Sequence, residues 1–310
     1  MNNVSVTLST DGTASVQAPV QRSHDSLAHK QQAIETALDR YTGFSPDCPQ
    51  LLREAIRYSL LTPGKRLRPM LVMLAAEACG GNVDVATPAA CAVEMIHTYS
   101  LIHDDLPSMD NDDARRGKPT CHKKFGEGVA ILAGDALLAL AFEVLAREIT
   151  PPEVAVACTA TLARASGATA LVGGQCDDIG QELASGSREL LESIHNRKTG
   201  ALFLASLRMG GLVAGASEVE LESLREFGRN LGLAFQITDD LLDVREDRRS
   251  GAVKKKKGDW GKLTFPNLIG EKQSRQEVER LIAAGCDALE PFGNSARSLR
   301  ALATFVSERF

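Results

Sequence analysis

Aromatic residues, paired cysteines and long apolar runs are all scarce in this sequence of 310 residues. Aromatic side chains make up 5% of the chain, which disfavours an all-β fold because strands are enriched in them. The seven cysteines are dispersed without a CxxC pair, which argues against a disulfide framework and against a zinc site. Asp135 and Arg208 break the apolar stretches near 128–142 and 201–216, so neither contains the roughly 18–20 uninterrupted apolar residues of a membrane span.

A strong excess of one charge is also absent. The formal net charge is -5 and the sequence pI is about 5.8, which argues against nucleic-acid binding as the main role. Residues 1–23 lack the apolar core of a signal peptide and lack helical periodicity, so they are predicted to be a flexible N-terminal arm. We therefore expect a cytoplasmic protein without a membrane span.

Helical periodicity dominates the chain from about residue 25. Pro63-Gly64 precedes a helix that is predicted to begin near Arg68 and to end at Gly80-Gly81, and Thr87-Pro88 predicts the start of the next. Further helices are predicted over 88–105, 127–148, 152–172, 187–214 and 218–243, with two more between 272 and 309. Since no repeat and no long linker divides residues 24–310, the predicted fold is all-α, a single large helical bundle.

Two clusters of carboxylates directly follow apolar helical segments. One begins with Asp104 and Asp105 and includes Asp110, and the other contains Asp239, Asp240 and Asp243. Like-charge crowding and desolvation both oppose such clusters at the ends of buried helices. A divalent cation removes that objection, and Mg²⁺ is commonly bound by one or two carboxylates together with phosphates and water. A solvated acidic helix end would explain one cluster, but two together favour a metal site.

The spacing of the acidic residues sharpens this prediction. Asp239 and Asp243 lie about 40° apart around a helix and so point the same way. Asp104 and Asp110 would lie roughly 240° apart on an unbroken helix, so they converge only if the turn is distorted. Pro107 is well placed to distort it.

Basic and polar residues at helix junctions predict a partner for these cations. Any one of them alone is more often an ordinary solvated charge, but beside two acidic clusters they predict a pocket for polyphosphates. They are Lys65, Arg66, Arg68, Arg115, Arg116, Lys198 with Thr199, Gln236, Lys254–Lys257 and Lys262.

Several longer motifs occur in order: GKRLRP at 64–69, IHTYSLIHDDLPSMDNDDARRGKPTCH within residues 94–135, GGQCDD at 173–178, KTG at 198–200, FQITDDLLDV at 235–244 and GKLTFP at 261–266. From about residue 30 to the C-terminus the sequence resembles the trans-prenyltransferases, specifically bacterial farnesyl diphosphate synthases and plant-type geranylgeranyl diphosphate synthases. The resemblance implies an isoprenoid synthase bundle with a central active-site cavity, a polyprenyl synthetase domain over 24–310 and a homodimer.

The same resemblance implies the reaction. Isopentenyl diphosphate would condense head-to-tail with dimethylallyl or geranyl diphosphate by ionisation, condensation and elimination. About three Mg²⁺ ions per site are implied, and Mn²⁺ could substitute for them. The side chains that would stabilise the departing diphosphate or the allylic cation are Arg115, Lys198, Thr199 and Gln236.

Residue roles follow by matching motif positions. The implied metal ligands are Asp104, Asp105, Asp110, Asp239 and Asp243, with Asp240 in support. Isopentenyl diphosphate would be bound by Gly64, Lys65, Arg68, His97 and Arg116, and the allylic diphosphate by Arg115, Lys198, Thr199 and Gln236. Lys254 and Lys262 would also contact diphosphate, although the region GAVKKKKGDWGK departs from the family pattern and Lys257 could substitute for one of them.

Product length depends on the residues before the first acidic motif. Tyr99, five residues before Asp104, and Ser100 match the positions that form a floor beneath the growing chain in this family. A bulky tyrosine there resembles the farnesyl, C15-forming pattern, and a tyrosine that merely packs the core is the alternative. The remaining alternatives are a geranylgeranyl diphosphate synthase, a non-catalytic synthase subunit and a helical metal-buffering protein.

Overall fold

The protein is a bundle of helices, as the periodicity predicts. The computed structural model describes the backbone of residues 17–179, 187–250 and 263–308, and the side chains of 27–179, 187–245 and 263–308. The helices are α1 Gln17–Tyr41, α2 Gln50–Leu60, α3 Leu67–Ala78, α4 Val83–Asp104, α5 Cys121–Phe125, α6 Glu127–Glu148, α7 Pro152–Ser166, α8 Leu171–Ile179, α9 Arg188–His195, α10 Ala201–Val213, α11 Glu218–Ser250, α12 Phe265–Ile269, α13 Glu271–Ala288 and α14 Arg297–Ser307.

Helix α4 lies at the centre of the bundle. Every residue from Ala89 to Ile96 is buried, so this part of the helix is enclosed on all sides. It packs against α1, α3, α6 and α10. The helix ends at Asp104, which places the first acidic motif directly after a helix whose middle is enclosed on all sides.

Several helix boundaries differ from the predictions. Helix α4 begins at Val83, not near Thr87, because Asn82 is the N-cap and its Oδ1 accepts a hydrogen bond from the Asp84 N–H at 2.9 Å. Helix α2 is a separate element that the sequence does not predict. Helix α1 begins at Gln17, so residues 17–23 of the predicted arm are helical, while residues 1–16 lie outside the described part of the chain.

The segment predicted as one helix over 187–214 is divided. Residues Asn196–Gly200 form a π-helical turn between α9 and α10. Such turns inside helical segments occur frequently at functional sites. The turn coincides with the KTG motif, which interrupts an apolar helical pattern in the sequence.

A short hairpin follows the first acidic motif. Strands β1 Ala114–Arg115 and β2 Lys118–Pro119 pair antiparallel around a two-residue loop of Arg116 and Gly117. Both loop residues have positive φ, 52° and 74°, as a type I′ hairpin turn requires. The hairpin thus places Arg115 at the end of β1 and Arg116 in the turn itself.

Two helical stretches meet the length and composition of a membrane span, contrary to the expectation that none would. They are Glu127–Glu148 and Pro152–Ile179, and 39% of each apolar window is buried within the protein. Core helices of soluble proteins meet the same criterion, and α6 packs its Ala130, Ala133 and Leu137 side against the core. Length and composition alone therefore do not make either stretch a span.

Candidate active site

The first acidic motif turns back on itself, which is the distortion that the convergence of Asp104 and Asp110 needs. The chain leaves the helix after Asp104, and the Asp110 N–H donates to the Asp104 carbonyl at 2.8 Å. Burial raises the pKa of the Asp104 carboxyl to about 6, the charge of Lys198 opposes that shift and the charge of Asp110 adds to it. The turn is thus distorted, as the convergence of Asp104 and Asp110 requires, and neutralising this carboxylate pair by a bound cation would be favourable.

Asp105 points toward the hairpin and forms an ion pair with Arg115. Arg115 donates from Nε and Nη2 to Asp105 Oδ1 at 2.9 and 2.7 Å, and from Nε to Oδ2 at 3.1 Å. Asp105 is buried, whereas the Arg115 side chain is 36% exposed. This ion pair fixes Arg115 beside the first acidic motif, and the predicted role of Asp105 as a metal ligand stays a prediction.

Arg116, in the turn of the hairpin, points toward the GKRLRP segment. Its Nη1 donates to the Pro63 carbonyl at 3.3 Å, and its guanidinium lies directly over Gly64, where a Cβ would overlap it. A side chain at residue 64 would therefore displace the Arg116 guanidinium from this position. Arg116 and Gly64, both predicted to bind isopentenyl diphosphate, are in contact.

Arg68 and His97 are two further residues that were predicted to bind isopentenyl diphosphate, and they lie close together. Arg68 Nη1 lies 3.2 Å from His97 Nε2, and Arg68 Nε is buried without a hydrogen-bond partner among the described residues. Burial lowers the pKa of Arg68 to about 10. Burial, followed by the positive charge of Arg68, lowers the pKa of His97 well below its usual value, so His97 is neutral at neutral pH and Nε2 can accept from Arg68.

The second acidic motif approaches these cations from α11. The charge of Asp239 raises the pKa of Arg68 against the larger effect of burial, so Asp239 is near enough for its charge to act on Arg68. Asp240 is buried and accepts from the Phe265 N–H at 3.0 Å, which ties α11 to the GKLTFP segment. Asp243 is exposed one turn beyond Asp239. Asp239 and Asp243 therefore present one acidic face, as predicted.

The π-helical turn brings Lys198 and Thr199 to the site. Lys198 Nζ donates to Asp178 Oδ2 on α8 at 2.6 Å, and its charge lowers the pKa of Asp104. Thr199 is buried. A Cβ at Gly232 on α11 would lie 3.3 Å from the Gly200 Cα, so α11 runs against the turn one helical turn before Gln236. Lys198, Thr199 and Gln236 thus belong to one junction.

Two residues of α8 join the site without a predicted role. Asp178 pairs with Lys198, and Gln175 is buried with neither Oε1 nor Nε2 hydrogen-bonded to the described residues. A buried amide without partners costs free energy unless a ligand or water satisfies it. Both residues lie in the GGQCDD motif, which supports the family resemblance but was assigned no role of its own.

Tyr99 and Ser100 lie on α4 just before the first acidic motif, and both are buried. The Tyr99 ring meets the His103 ring edge-on with centroids 5.7 Å apart, and burial, then the charge of Asp104, raises its pKa. Ser100 Oγ donates to the His97 carbonyl at 2.9 Å. The predicted floor residues therefore line the core directly beneath the acidic motif.

The carboxylate arrangement fits Mg²⁺. No group of three or more His, Cys, Asp or Glu side chains that could hold a metal occurs among the described residues. Mg²⁺ does not need such a group, because one or two carboxylates with phosphate oxygens and water suffice. The buried Asp104, with its raised pKa beside Asp110, is the donor type that this cation would neutralise.

Other predicted positions and cavities complete the description. Lys254, Lys257 and Lys262 lie outside the described residues.

A cavity of about 60 Å³ behind the acidic motif is lined in part by Arg66, Glu94, His97, Arg115 and Arg116. A larger cavity of about 570 Å³ lies between α1, the start of α4 and the end of α6, and none of the predicted site residues lines it.

Comparison with known proteins agrees with this arrangement. The sequence model of the family described as Polyprenyl synthetase matches residues 49–288. The chain is 46% identical over 287 residues to geranylgeranyl pyrophosphate synthase 7, chloroplastic, of Arabidopsis thaliana, covering 90% of this chain and 82% of that protein. It is 47% identical over 289 residues to the heterodimeric geranylgeranyl pyrophosphate synthase large subunit 1, chloroplastic, of the same plant, covering 90% and 77%.

A solved structure of a related enzyme has the same fold as this chain. An FPP/GFPP synthase from Zymomonas mobilis superimposes with a TM-score of 0.84 at 36% identity, covering 92% of this chain and 99% of that one. The resemblance found in the motifs is thus confirmed over most of the chain, by sequence and by structure. The chain is therefore a prenyltransferase and belongs to the polyprenyl synthetase family.

Proposed function

We propose that this protein condenses isopentenyl diphosphate with an allylic diphosphate. The observation that carries the proposal is the cluster of Arg68, His97 and Arg116, in which Arg68 Nη1 lies 3.2 Å from His97 Nε2. Burial lowers the pKa of all three residues, and the charge of Arg116 lowers those of Arg68 and His97 further. Such a cluster is unfavourable without an anion and is well suited to a diphosphate. The acidic motifs beside it suit the cations that accompany a second diphosphate.

The chain's own residues divide into two groups. Gly64, Lys65, Arg68, His97 and Arg116 would hold the diphosphate of isopentenyl diphosphate, which remains attached throughout. Arg115, anchored by Asp105, and Lys198, anchored by Asp178, would hold the allylic diphosphate that departs. The polar groups of Thr199 and Gln236 would face the allylic carbon, where positive charge develops when the C–O bond breaks.

Mg²⁺ would be held by Asp104 and Asp110 on one side and by Asp239 and Asp243 on the other. When bound, it would supply positive charge that stabilises the leaving diphosphate. No side chain needs to act as a nucleophile. The isopentenyl double bond attacks the allylic cation, and loss of a proton yields the longer allylic diphosphate.

The names of the relatives favour a C20 product over the C15 product that the sequence suggested. Both plant relatives are named geranylgeranyl pyrophosphate synthases, so we propose geranylgeranyl diphosphate as the main product. Farnesyl diphosphate is the second candidate, because the buried Tyr99 lies beneath the acidic motif and the Zymomonas mobilis structure is named an FPP/GFPP synthase.

We further propose that the protein forms a homodimer through α6. Ile131 and Leu132 are 44% and 57% exposed on the outer side of this apolar helix, and a second copy of the chain would cover them. A heterodimer is the alternative, since one relative is named as a large subunit of a heterodimeric synthase. The cytoplasmic location stays a prediction.

Product analysis tests the proposed function directly. The purified protein is incubated with Mg²⁺, radiolabelled isopentenyl diphosphate and, separately, dimethylallyl, geranyl or farnesyl diphosphate, and the products are sized after dephosphorylation. Incorporation with accumulation of C20 supports the main proposal, and a halt at C15 supports the second candidate. No incorporation with any allylic partner would reject both and favour a non-catalytic subunit.

A further inference from the structure

Arg66 lies in the middle of the GKRLRP segment but takes no part in the mechanism above. Its neighbour Lys65 is exposed, whereas the Arg66 side chain is 1% exposed and turned into the protein. Its backbone is left-handed, with φ 46° and ψ 39°, immediately before α3 begins. A residue with a Cβ rarely adopts this conformation, so surrounding contacts must hold it there.

Those contacts come from three parts of the chain. Arg66 donates from Nε and Nη2 to Glu35 on α1 at 2.7 and 3.0 Å, and from Nη1 to Glu94 on α4 at 2.7 Å. Nη2 also reaches the carbonyls of Leu60 and Thr62 at 2.8 and 3.2 Å. The planar guanidinium therefore joins α1, the end of α2 and α4 to the segment that carries Lys65 and Arg68, a task that a lysine cannot perform.

Glu94 makes this arrangement matter for the diphosphate site. Its carboxylate is buried, and its charge acts on both Arg68 and Arg116 as well as on Arg66. While Arg66 is paired with Glu94, Arg68 and Arg116 remain available to an anionic ligand. Without Arg66, a buried and uncompensated carboxylate would attract them.

We propose that Arg66 is a positioning residue for isopentenyl diphosphate, which compensates Glu94 and fixes the 63–68 segment so that Lys65, Arg68 and Arg116 meet the diphosphate. This inference rests on the proposed function, since it deepens the role of the same site. It predicts an effect confined to one of the two substrates. A purely structural arginine would lower stability and leave both substrate affinities unchanged.

The test measures KM for each substrate in matched variants. Arg66→Met should raise KM for isopentenyl diphosphate at least about tenfold, and Arg66→Lys should raise it less, while KM for the allylic diphosphate changes less than about twofold. The control is Lys30→Met, which breaks the Lys30–Glu77 pair, a 3.0 Å contact that also joins α1 to α3 but at the opposite end of α3. It should lower Tm without changing either KM.

Glu35→Gln keeps the test decisive if Arg66→Met fails to fold. It weakens the hold on Arg66 from α1 without touching the diphosphate segment, and it should raise KM for isopentenyl diphosphate by about threefold. An unchanged KM in Arg66→Lys and Glu35→Gln, or an equal rise for both substrates, overturns the inference. Activity of the wild-type protein is measured first, so a failure of the proposed function is distinguished from a failure of the role of Arg66.

Discussion

At the scale of single residues, Asp104 shows how a buried carboxylate, here proposed to bind a metal ion, opposes the stability of the fold. Its pKa is raised to about 6 from 3.8, because burial, and then the charge of Asp110, disfavour ionisation. A carboxyl whose folded-state pKa is raised favours folding when it is protonated, so above pH 6 its ionised form costs stability. A bound cation would reverse that cost.

We therefore predict opposite effects of Asp104→Asn on stability and on activity. At pH 8 without metal the variant should have a Tm equal to or above that of the wild type, since the buried charge is gone. Turnover should fall by at least about 10² because a metal ligand is lost. Thermal unfolding and steady-state kinetics at saturating Mg²⁺ measure both, and near-normal turnover would contradict the assignment.

Arg115 and Arg116 should give different kinetic signatures. Arg115 is held by Asp105 beside the first acidic motif, and Arg116 lies over Gly64. Loss of Arg115 (Arg115→Gln) should depress kcat, since its contact strengthens as negative charge develops on the departing diphosphate. Arg116→Gln should mainly raise KM for isopentenyl diphosphate, whose charge changes little. A rise in KM for the same substrate in both variants would show that the division is wrong.

Tyr99 is the fourth residue whose substitution discriminates between hypotheses. Tyr99→Ala removes a buried ring beneath the acidic motif and should extend the products by about one five-carbon unit beyond those of the wild type. The cavity should cost stability, about 3 kcal/mol if the surroundings do not relax. Product sizing under excess isopentenyl diphosphate measures the effect. An unchanged distribution would mean that Tyr99 only packs the core.

At the scale of elements, the hairpin and the loop before α3 depend on each other. A Cβ at residue 64 would overlap the guanidinium of Arg116, which is the flexible end of a side chain and can move aside. Gly64→Ala should therefore preserve the fold, displace Arg116 and raise KM for isopentenyl diphosphate by about tenfold. The control for general backbone strain is Gly80→Ala, at a positive-φ glycine where an added Cβ would meet no atom within 4 Å. Equal KM values in the two variants would contradict the coupling.

Some of these elements could be predicted from the sequence and others could not. Helix α6 has the predicted bounds 127–148, because its apolar pattern is long and uninterrupted by glycine pairs or proline. The predicted start of α4 is wrong because Pro88 suggests a first turn, whereas the Asn82 cap lies six residues earlier. The hairpin was not predicted, because strands of two residues are too short to show alternating apolar and polar residues. Only the positive φ angles of its loop residues, Arg116 and Gly117, identify it in the structure.

The site was predictable where charge and motif agreed, and not where a contact depends on tertiary packing. The spacing of Asp104 and Asp110 showed that they converge only in a distorted turn, and Pro107 indicated where that distortion lies. The pairing of Lys198 with Asp178 joins residues 20 positions apart on different elements, so nothing local indicates it. The inward turn of Arg66 is equally hidden, since GKRLRP contains three basic residues that look alike in sequence.

At the scale of the whole molecule, α6 connects the catalytic core to the surface. Its inner side packs on α4, where Gly134 allows close approach of the His103 ring and His103 Nε2 lies 3.0 Å from the Ile131 carbonyl. Its outer side exposes Ile131 and Leu132. A partner seated on that outer side would therefore rest one helix away from the first acidic motif, so assembly and activity should be linked.

We predict that Leu132→Lys converts a dimer into monomers. The change places a charge at a position that is 57% exposed in the single chain, so the monomer fold should tolerate it, whereas an apolar interface should not. Val219→Lys is the matched control, because Val219 is 68% exposed on α11 and should leave the mass unchanged. Sedimentation velocity gives the masses, and kcat of the monomer tests the link through α4. A monomeric wild-type protein would contradict the dimer. A Leu132→Lys protein with unchanged mass would place the interface elsewhere, and in either case the exposed side of α6 would need another partner.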